Sequence, residues 1–452
     1  MELFGTAGIR GDVRRTVTPS LALQVGQAAG AEAVEADGEA EFVVARDGRV
    51  TGEALVNAMV AGLQSAGAET VTVGQAATPA LAFASQGRYG VVITASHNPP
   101  EDNGIKLFRN GVEYSGDAET RIEERVAADI GPTEWDAWAT GAESEALPAY
   151  REAVVEYAEG LGAPLDGLDI VVDCGNGMAA TTTPAVLREL GAEIVTLNAN
   201  VDGHFPGRES KPTEETLGDC IGFMQDNEAD LGIAHDGDAD RIVILDGDGE
   251  TVHEDTVVAM LAEEYTRQSD AADPVVVTTP NASARIDERV REAGGRVERV
   301  ALGYLHDGIA EVRAGGGDVV FAAEPWKHVH TEFGGWIDGV CSAAVLSRLV
   351  AETPLAERRE PIAERPYRKV SVPCPDEKKA PAMERIADDL PAAFPDATVD
   401  DEYGVRLERP DGSWVLVRPS GTEPYLRIYA ESDDVDTLVA EAREVVEGAI
   451  EG

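Results

Sequence analysis

Six short segments carry side chains whose types and spacing could do chemistry. In the first, the apolar run Val91-Val92-Ile93 gives way to Thr94-Ala95-Ser96-His97-Asn98-Pro99. Pro99 lacks an N–H and biases Asn98 away from helical geometry, so the chain leaves a strand and carries Ser96 in a loop. Such a serine is either an ordinary turn residue or a nucleophile or phosphate carrier. The second segment, Ala234-His235-Asp236-Gly237-Asp238-Ala239-Asp240-Arg241, spaces three carboxylates at i, i+2 and i+4. They repel one another unless a cation joins them, and an all-oxygen set suits Mg²⁺ or Ca²⁺ and not zinc. An EF-hand is excluded, because the sixth position from Asp236 is Arg241 and the twelfth is Gly247. The readings left open are a Mg²⁺ site and a solvated acidic loop.

The third segment, Arg418-Pro419-Ser420-Gly421-Thr422-Glu423-Pro424, combines a guanidinium, two hydroxyls and a glycine turn. That is either a clamp for a dianionic phosphate or a hairpin loop. Phe4-Gly5-Thr6-Ala7-Gly8-Ile9-Arg10-Gly11 frees its backbone for close approach to a ligand and offers Arg10 to a phosphate. It is no dinucleotide fingerprint, and the P-loop pattern is absent from the chain. Asp102-Asn103-Gly104-Ile105-Lys106 puts a lysine just beyond the Ser96 loop, as a general acid/base or a phosphate counter-charge. Ala323-Glu324-Pro325-Trp326-Lys327-His328 follows a predicted strand, where α/β folds bind ligands.

The elements that must position these segments alternate short apolar strands with amphipathic helices. Strands are predicted at 41–45, 70–73 and 90–94, with a helix at 52–66. Residues 133–146 read as a linker and 149–161 as a helix. The pattern restarts with strands at 169–173, 193–197, 231–235 and 242–245, and a helix over 183–190. A third round has a helix to about residue 264, strands at 275–279, 297–300 and 318–322, and a helix at 283–293. Residues 350–367 read as a hinge; beyond them, strands at 370–372, 404–408, 413–418 and 425–430 precede a helix at 435–449. The expected fold is α/β: three similar mixed α/β domains plus a smaller C-terminal α+β domain around a central cleft. The expected boundaries are 1–147, 148–250, 251–365 and 366–452.

Composition narrows the partners. The chain has 84 acidic and 37 basic side chains, a net charge of −47, which repels nucleic acid and anionic membranes. The acids are spread throughout and lysine is confined to Lys106, Lys211, Lys327, Lys369, Lys378 and Lys379, as in a protein adapted to a high-salt cytoplasm. No apolar run reaches membrane-span length and the first residues lack a signal-peptide layout, so a cytoplasmic location is expected. Cys174, Cys220, Cys341 and Cys374 are too dispersed for a zinc or disulfide framework.

Taken together, Thr-Ala-Ser-His-Asn-Pro, Asp-Gly-Asp-Ala-Asp-Arg, Arg-Pro-Ser-Gly-Thr-Glu-Pro and the N-terminal Phe-Gly-Thr-Ala-Gly-Ile-Arg-Gly occur in an order that resembles the α-D-phosphohexomutase family, across nearly the whole chain. The resemblance implies that Ser96 is the phosphoserine, that Asp236, Asp238 and Asp240 hold Mg²⁺ with a phosphoserine oxygen completing the site, and that Arg10, His97, Lys106 and Arg241 surround the transferring phosphoryl group. Lys106 and Arg10 would be the acid/base candidates. Arg418, Ser420, Gly421 and Thr422 would grip the non-reacting phosphate, and Glu324, with Gly303, Trp326, Lys327 and His328 around it, would bind the sugar. The implied activity interconverts a sugar 1-phosphate and 6-phosphate through a bisphosphate, which also serves as activator, in a monomer or homodimer that binds small sugar phosphates.

This chain departs from the family pattern at the sugar loop. The usual Gly-Glu-Pro-Ser-Gly-His becomes Ala-Glu-Pro-Trp-Lys-His, and the neighbouring specificity segment reads Gly303-Tyr304-Leu305-His306-Asp307-Gly308. Glucose, mannose and glucosamine phosphates remain candidates, as does a pentose phosphate in a narrowed pocket. Rival readings are a phosphoserine-dependent phosphatase and a non-catalytic sugar-phosphate sensor. The sensor would need neither Ser96 nor the acidic trio.

Overall fold

The apolar runs around Val43-Val44 and Val91-Val92-Ile93 are fully buried and form the centre of a mixed sheet. The structure is a computed structural model; it describes residues 3–5, 8–420 and 423–452 and divides into two compact units. The first comprises Met1–Val257 and Pro325–Arg358, the second Val258–Glu324 and Arg359–Gly452.

In the first unit the strands run in the order Ile9–Asp12, Asp102–Arg109, Tyr89–Ile93, Glu41–Arg46, Glu69–Gln75 and Gly141–Glu143. The last four are mutually parallel, whereas Asp102–Arg109 is antiparallel to both of its neighbours. The segment Asp102–Lys106, for which no strand is predicted, lies in a strand, with Lys106 opposite Val92 and Gly104 opposite Arg10. Asn and Gly are poor strand formers in isolation, but pairing on both sides outweighs that preference. The expected linker likewise contributes the short strand Gly141–Glu143. Helices Pro19–Asp37 and Gly52–Ser65 pack closely because Gly62 has no side chain: a Cβ there would lie 2.3 Å from the Leu23 carbonyl oxygen. The first helix is capped by Thr18, whose side chain accepts from Leu21 N–H.

A second sheet in the same unit has the order Ile242–Leu245, Leu231–His235, Asp169–Asp173, Glu193–Leu197. Its strands match their predicted bounds, since each is a short apolar run between turn residues. Helix Gly339–Glu352, from the stretch expected to form the third domain, packs against these strands and the helix Leu147–Glu159. Tyr150 on that helix donates to Asp338, the N-cap of Gly339–Glu352, at 2.7 Å.

The second unit holds the parallel strands Arg296–Arg299, Pro274–Thr278 and Asp318–Glu324, and an antiparallel sheet ordered Tyr367–Pro373, Tyr425–Glu431, Trp414–Pro419, Val405–Glu408, Thr398–Asp400. Helices Asp376–Ala393 and Val435–Glu451 cover the latter. The two parts join through the buried ion pair Arg285–Glu431, 2.7 Å, and through Arg406, stacked 4.1 Å over Trp414 and bonded to the carbonyls of Pro280 and Ala282. The expected hinge at 350–367 contains a helix, Leu355–Arg359. The α/β class with an α+β C-terminal domain is thus the observed one.

Candidate active site

Strand Tyr89–Ile93 delivers Ser96 into a loop, and strand Asp102–Arg109 returns from it. Ser96 is fully buried, with φ of 51°, a left-handed conformation that a non-glycine residue adopts at a cost of about 1 kcal/mol. Its N–H donates to Thr94 Oγ1 at 2.9 Å, and its Oγ donates to Asp236 Oδ2 at 2.6 Å. The His97 Nδ1 atom lies 3.3 Å from the same Oγ. His97 is held down to about 3 by burial and by the positive charges of Arg241 and Arg10, so its ring is neutral.

The acidic loop bridges strands Leu231–His235 and Ile242–Leu245. Asp236, Asp238 and Asp240 are all buried, and one ligand atom from each lies within 4.8 Å of the others. Burial, then Asp240 and Asp238, push Asp236 well above the usual carboxylate range. Asp240 moves the other way: burial would raise it, but Lys106 and Arg241 hold it low. Asp238 accepts from Thr78 Oγ1 at 2.7 Å, yet Asp238 Oδ1 and Asp240 Oδ1 are buried with no hydrogen-bond partner. Orphaned, mutually repelling carboxylate oxygens fit a hard divalent cation, and the donor set is all oxygen, as Mg²⁺ prefers.

Lys106 Nζ lies 2.9 Å from Asp240, 3.8 Å from Glu113 and 4.0 Å from Asp238. Burial alone would lower its pKa; these carboxylates outweigh that and keep it an ammonium. The Nε atoms of Arg10 and Arg241 are buried without a hydrogen-bond partner. Ser96, His97, Lys106, Arg10, Arg241 and the three aspartates thus share the first unit.

Behind these loops stand residues that the sequence reading passed over. Arg49 holds the carbonyl side of the Ser96 loop. Arg208 donates to the His235 carbonyl at 2.7 Å and pairs with Asp173 at 2.9 Å. His235 itself bridges the Arg241 carbonyl and Thr183, an anchoring role. A charged residue just past a strand's C-terminal end is the one signal in the sequence that marks Arg49. Gly237 is needed where it stands, because a Cβ there would lie 2.6 Å from the Ser96 carbonyl oxygen.

The sugar-loop residues divide between the units. In the second, Glu324 accepts from Gly303 N–H at 2.5 Å. In the first, Trp326 has φ of 68° and its ring packs against the second sheet's core around Val171, Leu217, Met224 and Val243. The Lys327 backbone bridges to Arg241. His328, expected among the ligand-binding side chains, is buried, with Nδ1 3.0 Å from Ser342 Oγ.

In the second unit, Arg418 donates to Tyr429 Oη at 3.0 Å and leaves its Nε unpartnered. Directly across the ladder from it is Arg427, which sequence reasoning missed and whose Nε is also orphaned. Two facing cations are unfavourable unless anions offset them; Glu423 already pairs with Arg427, while the Nε of each arginine stays without a hydrogen-bond partner. Ser420 is buried, and its carbonyl accepts from Lys379 Nζ at 2.7 Å, so one of the scarce lysines braces this loop. Gly421 and Thr422 lie outside the described residues.

Three family models match the chain: phosphoglucomutase/phosphomannomutase alpha/beta/alpha domain I over residues 1–130, domain II over 149–249, and the C-terminal domain over 370–448. A phosphopentomutase of Thermococcus kodakarensis is 40% identical over 439 residues, covering 96% of this chain and 94% of that protein. A probable phosphoglucosamine mutase of Methanopyrus kandleri is 42% identical over 440 residues, covering 95% and 94%. The crystal structure of a phosphoglucomutase/phosphomannomutase family protein from Burkholderia thailandensis superposes with a TM-score of 0.86 at 26% identity, covering 99% of this chain and 97% of that one.

Proposed function

The chain belongs to the phosphoglucomutase/phosphomannomutase family, and on that premise we propose that it interconverts the 1-phosphate and 6-phosphate of a hexose through phosphorylated Ser96 and a hexose bisphosphate. The observation that carries this reading is the 2.6 Å contact between Ser96 Oγ and Asp236, one of three buried carboxylates, with buried Lys106 and half-buried Arg10 and Arg241 beside them. A serine in an ordinary turn has no need of that company.

In the forward half-reaction the bond between phosphorus and Ser96 Oγ breaks as one forms to a free sugar hydroxyl. Lys106 gives its proton to the departing Ser96 Oγ and regains one from the attacking hydroxyl. Arg10 and Arg241 offset charge on the phosphoryl oxygens, and neutral His97 orients the group. Mg²⁺ bound by Asp236, Asp238 and Asp240 would supply further charge neutralisation. Arg418, Arg427 and Ser420 hold the phosphate that is not reacting. The bisphosphate then returns its other phosphate to Ser96 by the same chemistry.

A second reading, a pentose phosphate substrate, is favoured by the replacement of Ser-Gly by Trp326-Lys327 and by the 40% identity to a phosphopentomutase. Phosphorus NMR tests both, in molar salt with Mg²⁺ and a trace of the matching bisphosphate. The 1-phosphates of glucose, mannose, glucosamine and ribose are offered one at a time. Conversion of one resonance to the terminal phosphate names the sugar. Growth of inorganic phosphate alone overturns the mutase reading for a phosphatase.

A further inference from the structure

Arg49 lies directly behind the serine loop, and the phosphoryl-transfer scheme leaves it unused. It is fully buried, and each of its five N–H donors has an acceptor. Nε meets Asp47 Oδ2 at 3.1 Å. Nη1 meets the carbonyls of Pro99 and Asp102 at 2.5 and 2.9 Å, and Nη2 those of Ser96 and Asn98 at 2.9 and 2.7 Å. A guanidinium has five donors in one plane, so the match leaves none over. The Phe205 ring centroid lies 5.2 Å from its central carbon.

Packing alone asks only that the space be filled. Drawing four carbonyls of one loop onto one cation also fixes where the loop's dipoles point. Carbonyl oxygens are the negative ends of those dipoles, and a phosphoserine dianion is repelled by any that face it. A second path ties the same arginine to the serine: Asp47 accepts from Thr94 Oγ1 at 2.8 Å, and Thr94 Oγ1 accepts from Ser96 N–H at 2.9 Å. Both paths hold Ser96 in its left-handed conformation, with Oγ directed at Asp236.

We propose that Arg49 is a positioning residue for phosphoryl transfer: by gathering the carbonyls of Ser96, Asn98, Pro99 and Asp102 it aims Ser96 Oγ at the acidic trio and turns the loop's carbonyl dipoles away from the phosphoryl group. The inference rests on the mutase reading. Lysine keeps the charge at this position but brings three donors on a flexible stem, so charge without the planar fork does not suffice.

The test is phosphoryl transfer onto Ser96 from glucose 1,6-bisphosphate and ribose 1,5-bisphosphate, followed by intact mass in molar salt with Mg²⁺, on the full chain and on Arg49→Lys and Asp47→Asn. Circular dichroism and thermal melting count the folded fraction. Per folded molecule, Arg49→Lys is expected to label about 100-fold more slowly, the cost of misplacing a reacting group by roughly 1 Å. Its kcat falls in parallel while KM for the sugar monophosphate stays within about twofold. Asp47→Asn weakens both the hold on Nε and the Thr94 path to Ser96 while leaving the four loop carbonyls on the guanidinium, and slows labelling about tenfold; it carries the test if Arg49→Lys does not fold. Hydrogen exchange rises in the peptide 94–102 and not in 231–245. Wild-type labelling rates in both variants, or a raised KM with kcat unchanged, overturn the proposal alone. A wild-type chain that takes no label from either bisphosphate overturns the mutase reading, and the proposal with it.

Discussion

Ser96 Oγ and Asp236 Oδ2 meet at 2.6 Å although 140 residues separate them in the chain. The contact joins two loops that end strands of two different sheets, so the first unit must fold as a whole before the site exists. It also sets an electrostatic problem: a dianionic phosphate on this serine would sit against three buried carboxylates.

That problem predicts metal dependence. Chelation is expected to abolish mutase activity and Mg²⁺ to restore it. Asp238→Asn removes one anionic ligand while keeping an acceptor for Thr78, and is expected to weaken Mg²⁺ binding at least about tenfold. Calorimetric titration of Mg²⁺ into the variant measures this; an unchanged affinity would exclude Asp238 from the metal site.

Glu431 pairs with Arg285 at 2.7 Å and accepts from Trp414 Nε1 at 2.8 Å, and both charged side chains are 1% exposed. Glu431→Gln leaves the Arg285 charge buried and uncompensated, which costs about 3–5 kcal/mol. A shift of the denaturant midpoint for the second unit reports it. The double variant Arg285→Met with Glu431→Leu removes both charges and is expected to recover most of the loss. A loss equal to the single variant's would mean that the shape of the pair, and not its charge, holds the two parts together.

The chemistry was legible where it is local. The Asp236–Asp240 spacing and the Ser96 loop declare themselves in a few residues, and the strands around the acidic loop match because their apolar runs are short and sharply bounded. Arg49 and Arg208 were hidden because their partners are backbone carbonyls distant in sequence, and carbonyls have no residue type. Lys106 stood out by scarcity, but its strand did not, since only pairing on both sides makes Asp102–Arg109 extended. Helix Pro19–Asp37 escaped because its buried face, Val25 apart, is alanine and glycine, which give little apolar contrast.

Acid is expected to destabilise the first unit through His328 and His330. Burial holds His328 down to about 3; burial and His328 together hold His330 well below its ordinary value. The unfolded chain, titrating near 6.5, binds more protons below that pH, so stability present at pH 7 is lost as pH falls. Between pH 7 and pH 5 His328 costs about 2 kcal/mol, and His330 adds to the loss in the same direction. Asp338 opposes them: burial raises it to about 6 despite hydrogen bonds from Cys341 N–H, Tyr150 and Trp336, so its folded form gains about 1 kcal/mol over the same interval. His97 and His235, held low by burial, act in the same direction as His328 and His330, and Asp47 and Asp236, raised by burial, act with Asp338; the histidines outweigh the carboxyls, so the melting temperature is expected to fall from pH 7 to pH 5 at constant salt, with a shallower fall in His328→Gln. A flat or rising profile would contradict it.

Trp326 joins two constraints that can be separated. Its φ of 68° is strained for any residue but glycine, and its ring packs against the core of the second sheet. Its carbonyl also accepts from Ile242 N–H at 3.3 Å, next to the backbone bridge between Lys327 and Arg241. Trp326→Gly relieves about 1 kcal/mol of strain but gives up about 2–3 kcal/mol of burial, so it is expected to be less stable than wild type. Trp326→Ser keeps the strain, loses the same packing and restores the residue usual in the family. If the ring narrows the sugar pocket by fixing the position of Lys327, both variants shift activity from ribose towards glucose phosphates by a larger factor than they lower the summed rate. Rates on the two 1-phosphates, measured side by side, decide it: an unchanged ratio with lowered stability would make Trp326 a prop for the second sheet and leave specificity to Glu324 and the segment after Gly303.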